Sequence, residues 1–449
     1  MSQQCTHLDV LIGELKQAAI DAWMRTATRP DWTARGDVYR VLGTGNMDYM
    51  DDRVTRPGAD GRGGGDFTSG GEYRAAESTR FKTQFETIRA TIDELVAPWL
   101  DLPDPNTIAT VVERCRQTTR GLSGAASTDG GVATGGGEVA YLAARVNQNL
   151  TAMSGTLIAS YKAKFLGQLG RAIGGMHAIS IVRGTDIAAQ QALWAGASES
   201  FEDLLTMSRD AMRKIADGNR GDWRDLLAAL TWICKGVGIF ATGGVTTALE
   251  VGGLAIDILS ETAPAPQSRD LSQPGSCDEA ISALRTELGK LSTRIRDEEQ
   301  ALVDNLRDNL ANINRDRSSY DLTQPAVYDS SDVMVLERSL LEEIYAVYMP
   351  SIADELDTLA KDVLLTSSLS AVERHPSIGL GRVGPGRTYE ELNDLLHDLI
   401  KDLAWEVRNG ATNLRLAIEA IDSQDAEVAE RLRDIASRVG TGSPYTPWG

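Results

Sequence analysis

Imidazoles, which ligate metals and move protons near neutral pH, are few in this chain. Its histidines are His7, His177, His375 and His397. Asp394 and His397 have the Asp-x-x-His spacing of a di-iron bundle ligand pair, but such a site needs a second copy and further inward-facing carboxylates, and the sequence offers neither. Solvated or core imidazoles are therefore expected. The metalloprotease H-E-x-x-H, the G-x-S-x-G elbow and the phosphate-binding G-x-x-x-x-G-K-[ST] do not occur. "GTGNMD", beginning at Gly43, lacks the third glycine and the preceding strand that a dinucleotide site requires, so it reads as a loop. Carboxylates abound on helical faces, where solvation and i,i+4 pairing with Arg and Lys are their ordinary roles. Cys5, Cys115, Cys234 and Cys277 lie far apart and form no C-x-x-C pair, so neither a zinc knuckle nor a dense disulfide framework is signalled. The expectation is a protein with no catalytic residue, no cofactor and no metal.

The elements that would position these residues read as helices. Apolar residues make up 42% of the chain and aromatics only 6%, without long Val, Ile, Tyr or Phe runs, which predicts an all-α fold of long antiparallel hairpins. A first helix is expected from Leu8 to about Thr26, where apolar residues recur at three and four. The Gly-, Asp- and Arg-rich stretch after it reads in its second half as an exposed, mobile loop, and a helix resumes near Glu72 and ends at about Val96. A short helix around Ile108 to Gln117 precedes a flexible Gly-rich linker, Gly121 to Glu138. A long helix is expected from Val139 to about Val182, with a turn near Trp194 and a second helix beyond it.

Past the Pro- and Ser-rich Thr262 to Ser276, the pattern Ile281, Leu284, Leu288, Leu291, Ile295 and onward to Ile313 is a heptad seam with a stutter. Val333 to about Leu365 is its expected antiparallel return. A last helix opens at "TYEE", with Thr388 and Glu391 placed for a capping box, and its seam persists to Val439, roughly 70 to 80 Å if unbroken. Three regions follow: 1–120, 138–261 and a coiled-coil-like 277–440.

The 45 Lys and Arg against 64 Asp and Glu leave a net charge of -19, which repels phosphate backbones and excludes nucleic acid as an expected partner. No basic n-region with an apolar run opens the chain, so any export is expected to be signal-peptide-independent, the alternative being a cytoplasmic location. Leu226 to Leu259 is the most apolar part. Its first 24 residues hold Trp232, Phe240, Gly244 and Leu249 and a single charge, Lys235. A bilayer span needs roughly 20 such residues, yet Lys235 would cost about 3 kcal/mol there. A buried, close-packed hairpin is expected, with insertion into lipid after rearrangement, as in pore-forming toxins, as the alternative.

Trp194-Ala195-Gly196, between two expected helices and followed by Phe201, resembles the hairpin turn of the WXG superfamily substrates of actinobacterial type VII (ESX) secretion systems. The tail from Gly410 to Leu432 is similar to the end of ESX-associated substrates: Ala411, Leu414, Ala417, Ala420, Asp425, Ala426, Ala429, Arg431 and Leu432 supply an Ala-rich helix, an Asp, small residues and a closing Arg-Leu, with Ile421 where an aromatic is frequent. The resemblance implies a Tyr-x-x-x-Asp/Glu export step placed by the end of a helical hairpin; Tyr328 to Asp332 and Tyr73 to Glu77 both have the spacing, Tyr328 before an expected helix. It further implies a non-enzymatic substrate or accessory protein that is secreted or lies in the cell envelope, with helical protein partners or self-association. A helical scaffold inside the cell is the remaining alternative.

Overall fold

The computed structural model describes residues 3–26, 32–41, 52–123, 137–218, 275–320, 322, 333–335, 337–423 and 448. Helix accounts for 76% of it, so the fold is mostly helical, but a five-stranded antiparallel sheet makes it not all-α. Helix α1, Gln3–Thr26, leads into β1, Trp32–Arg35, and β2, Val38–Val41, which pair across a two-residue Gly36-Asp37 turn. Strands β3 (Arg53–Thr55), β4 (Phe67–Ser69) and β5 (Glu72–Tyr73) add in sequence order. The second half of the stretch, expected to be a mobile loop, thus supplies β3 to β5 of a small sheet among its described residues. Strands of two to four residues are too short to show a period of two against a glycine-rich background.

The sheet is fastened to α1 and to α2, Ala75–Val96, by polar and aromatic contacts. The Tyr39 hydroxyl donates to Asp21 Oδ1 at 2.6 Å, and Arg56 Nε donates to the same oxygen at 2.9 Å. Trp23, Trp32, Phe67 and Phe81 meet in edge and stacked contacts about this joint. The glycine-rich turn between β3 and β4 is braced by Arg89, whose Nε donates to Gly61 O at 2.6 Å, and by Gln17, which donates to Pro57 O at 2.9 Å.

After α3 (Pro105–Gly121), with Asp104 capping it through Asn106 N, the chain enters α4, Glu138–Thr151. The single helix expected from Val139 to Val182 is broken here: Ser154–Gly155 pairs as β6 with β7, Val333–Val335. The helix restarts as α5, Thr156–Tyr161, passes a π turn at Lys162–Leu166, and continues as α6, Gly167–Ala216. This 50-residue helix is about 75 Å long. Buried residues cover most of the circumference of α6 up to about Ile187, as in a core helix, and a single face from Gln190 to Ile215.

The other helices ring α6. Helix α1 runs parallel to its C-terminal half, with Arg209 Nη1 on Glu14 at 2.8 Å. Helix α7, Cys277–Arg315, lies antiparallel to it and chiefly against it. Helix α8, Arg338–Glu343, and a second π turn lead into α9, Met349–Leu364, which pairs antiparallel with α10, Gly386–Ser423, through Arg408 on Asp354 at 2.8 Å. The expected pairing of 277–313 with 333–365 is therefore replaced: α7 uses its seam on α6, and α9 uses its own on α10. Helix α10 starts at Gly386, ahead of Thr388, so Thr388 sits inside the first turn instead of capping it. Apolar residues from all three expected regions, among them Leu15, Phe85, Leu169, Trp194, Leu284, Leu356 and Leu403, belong to one continuous core.

Candidate functional site: a buried polar seam on the central helix

One face of α6 carries Arg183, Asp186, Gln190 and Trp194, spaced by three and four residues and all buried. Polar groups there must find partners or remain a cost of about 1–3 kcal/mol each. At the upper end the Trp194 indole is fully buried, with the Arg374 guanidinium over its ring at 4.5 Å. Arg374 comes from the irregular segment 366–385 between α9 and α10, and it pairs with Glu299 of α7, both side chains wholly inaccessible. Glu299 also accepts from Leu380 N at 2.8 Å, and Arg374 Nη1 donates to Val372 O at 3.1 Å. Gly379 and Gly384, both at positive φ, leave the room the Glu299 carboxylate fills.

This cluster pins the segment 366–385 across α6 like a strap. Burial pushes the Glu299 carboxyl upward despite Arg374, and it lowers Arg374. Desolvation outweighing attraction is the usual state of a dry ion pair, which specifies geometry more than it stabilises. At the lower end Arg183 Nη1 donates to Thr366 Oγ1 at 3.1 Å and Asn393 Oδ1 at 2.8 Å. Between the two ends Asp186 Oδ2 accepts from Gln190 Nε2 at 2.6 Å. Burial without a cationic neighbour raises the Asp186 carboxyl to about 7. The seam can therefore hold or release one proton near neutrality, in the middle of the molecule's central helix.

No protein-family model, curated protein or solved structure matches the chain. The reading of this site rests on its own residues.

Trp194 and Gly196 are not at a hairpin turn: both lie inside α6, which runs through them unbroken. Gly196 has a helical neighbourhood with no proline, and the burial of Trp194, Ala197 and Phe201 outweighs the roughly 1 kcal/mol that one helical glycine costs. Phe201 stacks on Trp99 at 5.6 Å, so its partner is the turn after α2 and not a returning helix. Tyr73 and Glu77 are brought together at the surface, in β5 and the first turn of α2. Tyr328 and Asp332 lie outside the described residues, as do Trp232, Lys235, Phe240, Gly244 and Leu249. In the tail, Ala411, Leu414 and Ala417 are buried on α10, whereas Asp425 to Leu432 lie outside the described residues.

The histidines are dispersed. His177 is lowered by burial within α6, His375 bonds Ser377 at 2.8 Å, and His7 meets Glu202 at 2.8 Å. His397 bonds Asp398 at 2.9 Å, not Asp394. Among the described residues no group of His, Cys, Asp and Glu is arranged to hold a metal ion, and no helix is long and apolar enough to cross a membrane. The Cys277 thiol, pushed up to about 12 by burial and by Asp278, stays protonated and unreactive.

Sequence reasoning missed Arg183, Asp186, Gln190, Glu299 and Arg374. A signal existed for the first three: polar residues at i, i+3 and i+7 on the same face as Trp194, in an otherwise apolar stretch. It goes unseen when the helix is ended at about Val182 and a turn is placed at Trp194.

Proposed function

We propose that the protein is a non-enzymatic helical substrate or accessory component of a type VII (ESX) secretion system, acting through contacts with helical protein partners. The observation that carries this reading is the exposed Tyr73-x-x-x-Glu77 step. Tyr73 is 57% exposed on the last strand of the sheet, before α2, and the Glu77 side chain is 51% exposed in the first turn of α2, 3.8 Å from Arg80. The tail on α10 adds support through its Ala-rich packing face. Trp194 and Gly196 no longer contribute, because they do not form a turn.

The test compares extracellular protein from cells with and without an intact ESX apparatus, and from a Tyr73→Ala/Glu77→Ala variant. Because both side chains are exposed, the variant keeps its melting midpoint within about 0.5 kcal/mol of stability, while its export is expected to fall tenfold or more. An extracellular level indifferent to the apparatus would defeat the reading and favour a helical scaffold.

A further inference from the structure

The Arg183 guanidinium is wholly buried, yet only Nη1 is engaged. Among the described residues Nε and Nη2 have no partner. These two nitrogens form one edge of the guanidinium, the fork that matches a carboxylate or another small anion. An arginine cannot shed its proton to escape burial, so an unpaired buried guanidinium is costly unless an anion meets it.

Among the described residues the surrounding groups make no ion pair with it. Thr366 and Asn393 are neutral. The Tyr389 hydroxyl donates to Thr366 O at 3.1 Å and lies 3.4 Å from Cys115 Sγ, with burial holding the phenol well above its ordinary range and so protonated. Glu390 is turned to the strap, accepting from Ser367 Oγ at 2.9 Å and Ser368 N at 2.8 Å. Asp186, one turn along α6, is tied to Gln190 and shows no interaction with Arg183. Asp186 Oδ1 and Gln190 Oε1 on the same face of α6, and Ser368 Oγ on the strap, are likewise buried without a partner among the described residues.

We propose that the Nε–Nη2 edge of Arg183, on α6, is an internal binding site for a small monovalent anion, chloride or the carboxylate of a small acid. Binding there meets a buried guanidinium edge that has no partner among the described residues. The proposal is independent of the secretion reading, since it concerns only the folded protein and a dissolved ion.

The full-length protein is unfolded thermally in sodium chloride, sodium bromide and sodium formate, each against sodium gluconate at equal ionic strength. A ligand that binds only the folded state raises the midpoint in a concentration-dependent way. The expected result is a midpoint that rises above the gluconate reference with chloride, bromide or formate in the wild type and not in Arg183→Met. A larger rise in formate than in chloride identifies the carboxylate as the preferred form. Should Arg183→Met fail to fold, crystals of the wild type grown in bromide decide: an anomalous peak within hydrogen-bond reach of Nε and Nη2 supports the site. Identical responses in wild type and variant, no bromide peak, or an Asp186 carboxylate found rotated onto the free edge would overturn it.

Discussion

At the scale of single residues the interior of this protein is specified by charges it can barely accommodate. Glu299 and Arg374 are both inaccessible, so removing one strands the other. Glu299→Ala is expected to lower stability by about 3–5 kcal/mol in urea denaturation, whereas Glu299→Met combined with Arg374→Met recovers most of that loss. A double variant as unstable as the single one would show that the pair does more than compensate itself. Asp186 behaves in the opposite sense to a salt-bridged carboxylate. Its folded value, about 7, lies above the unfolded value near 3.8, so the folded state holds the proton more tightly. The stability this gives is fully present below pH 4 and is lost as pH rises through 7. Asp186→Asn keeps the neutral form at every pH. It is therefore expected to match the wild type at pH 4 and exceed it at pH 8 by up to about 4 kcal/mol, as read from denaturation midpoints across that window.

At the scale of elements, the glycines of α6 separate a helix interior from a turn. A Cβ at Gly196 or Gly174 would meet nothing within 4 Å, so Gly196→Ala and Gly174→Ala are each expected to raise stability by about 0.5–1 kcal/mol. At Gly175 the same Cβ would come within 2.7 Å of Ser319 O and of the Tyr320 ring, where α7 ends against α6. Gly175→Ala is expected to lose about 1–3 kcal/mol despite its better helix propensity. A gain at Gly175 or a loss at Gly196 would contradict the packing described. The long periodic elements, α1, α2, α7 and α10, were legible in the sequence because each has one apolar stripe facing one side. Helix α6 was legible at both ends but not as one helix, since burial on most faces blurs the stripe before Gln190 and its Trp-Ala-Gly step resembles a turn. Of the candidate site, Trp194 was found for the wrong reason, and its ionic partners, brought from 105 and 180 residues further along the chain, leave no local pattern.

At the scale of the molecule, the sheet, the central helix and the C-terminal hairpin contribute to one apolar core, and α6 touches α1, α3, α7 and α10 along its length. A helix shared by that many neighbours cannot be released from one without exposing the others. The Asp21, Tyr39 and Arg56 joint holds the sheet on α1, and α1 in turn lies on α6. Loss of the joint should therefore be felt at the far end of the chain. Asp21→Ala leaves the Tyr39 hydroxyl and the Arg56 guanidinium without their shared acceptor and is expected to cost about 2–4 kcal/mol. If the core is one cooperative unit, amide exchange in β2 and in α10 accelerates together in that variant, and both follow the same denaturant dependence in the wild type. Acceleration confined to the sheet would mean that the N-terminal elements open on their own, and the strap and seam would then have to be understood as a separate folding unit built around α6.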